Sequence, residues 1–103
     1  MFLVLWEYDV KPGCDERFVR VYGPDGDWAH LFRRDLAYQR TLLLHNPKNL
    51  RNYVTCDFWE SREAYLAFRQ KNLDAYQTID KRCEESTLGE REIGAFERLN
   101  NDG

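Results

Sequence analysis

The sequence predicts an α+β fold, a four-stranded antiparallel sheet with its helices packed on one face. Three observations predict it. The run Tyr53 to Trp59 is rich in β-branched and aromatic residues and turns directly into a helical run at Ser61, whose hydroxyl suits a helix N-cap while Glu63 suits the first turn. Beyond it, Tyr65, Phe68, Asn72, Tyr76, Ile79 and Cys83 follow at steps of three or four, the mark of one helical face. Along the chain the strand-like and helix-like segments fall in the order β-α-β-β-α-β, which reads as a ferredoxin-like sandwich.

The elements follow in order. Phe2 to Val10 alternates, with Phe2, Val4, Trp6, Tyr8 and Val10 on one face and Leu3, Leu5, Glu7 and Asp9 on the other, a strand covered on both sides for part of its length. Lys11-Pro12-Gly13 is a turn, and Asp15-Glu16 opens a helix carrying Phe18, Val21 and Tyr22. Gly23-Pro24-Asp25-Gly26 interrupts that helix, and Asp27 suits the cap of a second, short one bearing Trp28, Leu31 and Phe32. Tyr38 to His45 alternates again, placing Tyr38, Arg40, Leu42 and Leu44 on one face and Gln39, Thr41, Leu43 and His45 on the other. The polar loop 46–52 suits a hairpin connection to Tyr53–Trp59. The long helical region runs from Arg62 to Glu85 with a break expected between Gln70 and Asn72. Thr87 to Glu90 has capping-box spacing with room for one turn, Ile93 to Leu99 is the last strand, and residues 100–103 are a frayed tail. Residues 1–99 thus read as a single domain.

Composition narrows the function. Fifteen Lys and Arg against 18 Asp and Glu leave a net charge of -3, with no basic cluster to attract nucleic acid phosphates, so no nucleic-acid partner is expected. The three cysteines show no zinc spacing, which reads as reduced thiols in a cytoplasmic protein. The apolar start, Phe2 to Trp6, is too short for a signal peptide or a membrane span. At 15% aromatic, the chain must place many rings in a core, a pocket or an interface. The sheet face opposite the helices, with Leu3 and Leu5, is left open in a monomer, so a two-fold dimer through that face is the expected partner arrangement.

The chemistry-bearing candidates divide between functional and structural readings. His45, on a strand, can move a proton near neutral pH, or it is a hydrogen-bonded surface residue. His30 reads as solvated. Trp6, Tyr8, Trp28, Phe32, Phe68 and Tyr76 form either an aromatic box for a flat substrate or ordinary core packing. Asn72, on an otherwise apolar stripe, either meets a ligand oxygen or bonds backbone at a helix break. Asp57 and Arg40 are placed to pair across the hairpin. Glu7, Asp9 and Glu97 lie opposite Trp6 without a supporting histidine, which reads as solvated or interfacial contacts; no metal site is expected.

Four segments carry a family resemblance: the strand ending in Lys11-Pro12-Gly13, the hairpin ending in Phe58-Trp59-Glu60-Ser61, the following Glu63-Ala64-Tyr65-x-x-Phe68, and the late Ile93-Gly94-x-Phe96-Glu97. Together they resemble the antibiotic biosynthesis monooxygenase-like family of dimeric α/β barrels, over nearly the whole chain. The Trp59-Glu60-Ser61 corner is the most specific piece, and it marks fold. The resemblance implies a ligand in the cleft between helices and sheet of each subunit, with two subunits back to back. Members include cofactor-independent monooxygenases of polyketide quinone synthesis, haem-degrading oxygenases and proteins without assigned activity. The haem-degrading branch uses an asparagine on the first strand and a tryptophan and a histidine on the long helix; Trp6, Phe68 and Thr78 stand at those positions, which disfavours haem.

The expectation is therefore a cofactor-independent monooxygenase for a small aromatic, phenolic or polyketide-type substrate, working without flavin or metal. Trp6, Trp28 and Phe68 would stack the substrate, Asn72 or Tyr76 would anchor it, and His45 would transfer the proton. The alternative is a non-catalytic dimeric protein of the same fold that binds a small ligand or serves in stress.

Overall fold

The computed structural model describes residues 1–99; the tail assigned to 100–103 lies outside the described residues. The order is β1 (Phe2–Val10), α1 (Asp15–Tyr22), α2 (Asp27–Phe32), β2 (Tyr38–His45), β3 (Asn52–Trp59), α3 (Arg62–Lys71), α4 (Leu73–Cys83), a 3-10 turn (Glu84–Ser86) and β4 (Thr87–Glu97). The strands form one antiparallel sheet in the order β2-β3-β1-β4, the ferredoxin-like arrangement, with each half of the helical layer built from two pieces. No helix among the described residues is long and apolar enough to cross a membrane.

Local chemistry explains the breaks. Gly13 takes φ +85 in the turn that Cys14 N–H closes on the Lys11 carbonyl at 3.0 Å, a conformation that costs glycine little. In the Gly23–Gly26 loop a Cβ on Gly26 would stand 2.2 Å from the Val21 carbonyl oxygen, so only glycine lets α2 start there. Gly26, not Asp27, is the N-cap of α2; Asp27 is its first residue and accepts from Arg82 at 3.1 Å. Ser61 caps α3, its Oγ accepting from the Ala64 amide at 3.1 Å. The break between α3 and α4 falls at Asn72, whose Nδ2 donates to the Phe68 carbonyl at 3.1 Å. In the hairpin loop, Asn46 Oδ1 accepts from the Lys48 amide and Asn49 Oδ1 from the Arg51 amide, two side-chain-closed turns in succession.

Three strand readings change. β4 begins at Thr87, six residues before the predicted start, and the one-turn helix lies just before it, at Glu84–Ser86. A register shift between Tyr38 and Arg40 makes the two faces of β2 switch partners: Tyr38 pairs with Trp59, while Thr41 pairs with Asp57 and Leu43 with Thr55. One inserted residue is enough, because side chains alternate with period two. Thr41 therefore faces the helices together with Tyr38, and Arg40 faces away. Arg40 does not pair with Asp57; its guanidinium lies over the Phe58 ring at 4.5 Å on the outer face.

The core fills the space between the helices and the inner sheet face. One cluster is centred on Trp59 and Phe68, both fully buried, with Phe32, Tyr38 and Tyr65 around them. The other is centred on Phe18, which stacks on Tyr22 at 4.3 Å and touches Tyr8 and Tyr53. On the outer face, Arg91 bonds Glu7 at 2.7 Å and Asp9 at 3.3 Å, and Asn52 donates to Glu7 at 2.8 Å. These carboxylates are thus engaged in ion pairs and hydrogen bonds, and no group of His, Cys, Asp and Glu among the described residues is arranged to hold a metal.

Candidate functional site

The two core clusters do not close on one another completely. Between them lies a cavity of about 140 Å³, comparable to the space that holds one benzene ring in an engineered core. Strand alternation builds its floor: β1 contributes Val4, Trp6 and Tyr8, and β3 contributes Thr55 and Asp57. Helical spacing builds its wall, since α3 presents Tyr65 and Arg69 and α4 presents Tyr76 and Asp80, each pair four residues apart and so one above the other. Tyr22, Trp28 and Phe32 close the side toward α1 and α2, and Glu90 of the edge strand completes the lining.

The rings are arranged edge against face. Trp28 meets Tyr76 at 4.9 Å and 64°, and it lies 5.9 Å from Phe32. The Arg69 guanidinium lies 4.6 Å from the Tyr76 ring centroid and 5.9 Å from that of Tyr65, held by cation–π attraction between two helices. Burial pushes the phenols of Tyr8, Tyr22, Tyr65 and Tyr76 up, so all four stay protonated near neutral pH.

Asp57 is the chemical exception in this setting. It stands on the inner face of a central strand, between Thr55 and Trp59, where every other side chain of β3 is neutral. Burial pushes its carboxyl up to about 6, against the opposing effect of the Thr41 hydroxyl, which donates to Oδ1 at 2.6 Å. The Tyr38 hydroxyl lies 2.6 Å from Thr41 Oγ1; with Thr41 donating its only proton to Asp57, Tyr38 donates to Thr41. The carboxylate is therefore oriented by a hydroxyl chain reaching into the closed core, and it is poised to gain or lose a proton near neutral pH.

Of the residues predicted from sequence, Trp6, Tyr8, Trp28, Phe32 and Tyr76 come together around the cavity. Phe68 does not line it: it is fully buried, 5.0 Å from Trp59 and 5.6 Å from Phe32. Asn72 also lies off the cavity, spending its amide on the helix break. His45 lies at the far end of β2, exposed, stacked on Tyr53 at 4.2 Å and hydrogen-bonded to the Leu50 carbonyl at 2.9 Å. The charged lining residues Asp57, Arg69, Asp80 and Glu90 were missed, as were Val4, Tyr22, Thr55 and Tyr65. Asp57 was legible as an acid sharing a strand face with Tyr53, Thr55 and Trp59, and Arg69 and Asp80 as charges one helical turn beyond Tyr65 and Tyr76. Glu90 was hidden because its strand was started too late.

A ferredoxin-like sandwich with an aromatic cavity between its helices and the inner sheet face defines a class of small α+β proteins. Within it, the chain belongs to the antibiotic biosynthesis monooxygenase family, whose sequence profile matches residues 1–81. Among solved structures, SnoaB from Streptomyces nogalater, described as a cofactor-independent oxygenase, superposes with a TM-score of 0.75 at 16% identity over 99% of this chain and 97% of its own. A variant of MhuD with two manganese protoporphyrin IX bound per active site gives 0.73 at 19% identity over 100% and 99%. A conserved protein from Methanosarcina mazei Go1 gives 0.70 at 11% identity over 95% and 92%. These likenesses establish the fold. No curated protein matches the chain in sequence.

Proposed function

We propose that the chain is a cofactor-independent monooxygenase for a small aromatic substrate with a phenolic hydroxyl, and that Asp57 is its catalytic base. The observation that carries this reading is a carboxylate on the central strands of the floor of an aromatic-walled cavity, oriented by Thr41 and raised by burial to about 6. Proton transfer from a phenol of ordinary pKa near 10 to such a carboxylate is uphill by roughly 5 kcal/mol. That fits within the barrier of about 16 kcal/mol for an enzyme turning over some ten times a second.

In this reading Asp57 takes the phenol proton, and the phenolate passes one electron to O₂. The two radicals combine into a ring carbon–peroxide, which Asp57 protonates. The carboxylate then removes the hydrogen on that carbon as the O–O bond breaks, and the departing hydroxide receives the proton as water. The sum is phenol plus O₂ giving quinone plus water, with one oxygen atom in each product. Trp6, Trp28 and Tyr76 hold the ring and exclude solvent, and Arg69 offsets the negative charge of the phenolate and peroxide. His45 stands outside the cavity, so the proton is assigned to Asp57. Haem is not called for: the cavity has room for one ring, and no histidine lines it.

The outer sheet face is proposed as the surface a second copy covers. It carries Leu42, Leu44 and Phe96 at 38%, 49% and 51% exposure, with Leu3 and Leu5 beside them, too much apolar area for an isolated surface. A homodimer that Leu44→Glu converts to monomer in sedimentation velocity is the expected result. The free thiols of Cys14, Cys56 and Cys83 fit a cytoplasmic setting.

Oxygen uptake with a panel of single-ring phenols and hydroquinones tests the catalytic reading. Uptake that falls at least 100-fold in Asp57→Asn supports it. Binding of the same phenols without uptake would make the protein a ligand-binding member of the fold.

A further inference from the structure

The charges around the cavity are unbalanced in a directed way. Its lining holds three carboxylates, Asp57, Asp80 and Glu90, against one cation, Arg69, and Arg69 is already placed over Tyr76. Asp80 and Glu90 make no ion pair or side-chain hydrogen bond among the described residues, whereas Glu7, Asp9, Asp15, Asp25, Asp27 and Glu85 are all paired with arginines. Burial, and then Glu84, push the Asp80 carboxyl up, and burial, Asp80 and Glu84 push that of Glu90 up. Two acids without an ion pair share the mouth; Glu84 nearby raises both, and Arg69 opposes the rise at Asp80.

Sheet register sets the distance between the two ends. Asp57 pairs with Val4 and Glu90 with Tyr8, on opposite sides of β1. Four residues along the strand and two strand spacings across the sheet put their Cα atoms roughly 16 Å apart. Between the two side chains there is the length of one ring and a short arm. The rings beside the mouth, Trp28 and Tyr76, offer faces that favour a cation over an anion.

We infer that the cavity takes a single-ring phenol bearing a protonated amine on a short arm, its ammonium held by Asp80 and Glu90 and its hydroxyl directed toward Asp57. The inference rests on the oxygenase reading only for the orientation of the hydroxyl; the charge preference stands on the mouth alone. Aromatic acids are disfavoured at the same site, because their carboxylate would have to lie beside Asp80 and Glu90 or draw Arg69 off Tyr76.

The test is equilibrium binding, by calorimetry and thermal shift, of three probes of matched size: tyramine, 4-ethylphenol and 4-hydroxyphenylacetate. Tyramine is expected to bind at least tenfold more tightly than the acid, with the neutral phenol between, and the gap is expected to shrink as salt is raised. In Asp80→Asn/Glu90→Gln the order of tyramine and the acid is expected to level or invert. Equal affinities in the unmodified protein, a preference for the acid, or binding of none of the three overturns the inference, and none of these outcomes needs a variant to fold. Oxygen uptake is recorded separately. Tyramine preference without uptake keeps the inference and removes the oxygenase, whereas uptake on 4-ethylphenol with no charge preference does the reverse.

Discussion

Two aromatic regions share the inner side of this molecule, and only one of them closes. Around Trp59 and Phe68, the rings of Phe32, Tyr38 and Tyr65 pack at 5.0 to 5.6 Å, with Phe32 and Tyr65 at the border where the cavity begins. Around Trp6, Trp28 and Tyr76 the same residue types, delivered by the same strand and helix periods, line a cavity instead. The difference lies in the neighbours. The closed region holds no charged side chain, whereas along the cavity an uncharged lining residue is followed by a charge at the element's own period: Tyr65 by Arg69, Tyr76 by Asp80, Thr55 by Asp57. Collapse of that space would strip water from several charges without pairing them, a larger cost than the apolar contact it would gain. Charge keeps the cavity open.

The largest expected effect separates the two regions by stability. Phe68→Ala removes a fully buried ring and is expected to cost about 3–5 kcal/mol in urea unfolding. Trp28→Ala, at a half-buried ring facing the cavity, is expected to cost less than half as much. Equal losses would mean that the wall is ordinary core and that no preformed space exists.

Asp57 breaks the comparison from the other side. Asp57→Asn is expected to lower oxygen uptake at least 100-fold, and the unmodified rate is expected to rise with pH through about 6, standing about tenfold below its plateau at pH 5. Thr41→Val removes the hydrogen bond that favours the ionised carboxyl, so the acid limb should move to higher pH. Stability carries the opposite sign. With a folded pKa near 6 and an unfolded one near 3.8, the native state binds the extra proton between them. Stability is then expected to fall as pH rises through that window, by at most about 3 kcal/mol. Asp15 and Glu7, both lowered chiefly by hydrogen bonds, to Arg51 and Asn52 respectively, act in the reverse sense, so the curve to measure is the difference between the unmodified protein and Asp57→Asn.

Sequence periodicity was enough to place β1, β3, both broken helices and the Ser61 cap, because each depends on neighbours two to four residues apart. It was not enough for β2, where one inserted residue near Gln39 exchanged the faces and sent Arg40 outward and Thr41 inward. The rings of the wall were legible as a group, yet Phe68 shares their helical stripe and lies in the closed region. Which rings pack and which line space depends on contacts across the sheet, which no local spacing encodes. The charged members of the cavity were the harder part. Charges on a half-buried face read locally as solvated, and only the register that brings β4 beside β1 joins Glu90 to Asp57.

The smallest effect tests whether the two regions are mechanically separate. Both meet on α3, where Phe68 points into the closed region and the adjacent Arg69 lines the cavity. Ser61 caps that helix through the Ala64 amide, and Ser61→Ala is expected to cost about 1 kcal/mol. The loss falls on the first turn, while Phe68, one turn further on, remains pinned by Trp59 and Phe32. If packing in the closed region sets the wall, Arg69 keeps its place and tyramine affinity should change less than twofold. A larger loss of affinity, with the same 1 kcal/mol in stability, would show that the cavity is positioned by the start of α3, and that the cap at the Trp59-Glu60-Ser61 corner serves the site as well as the fold.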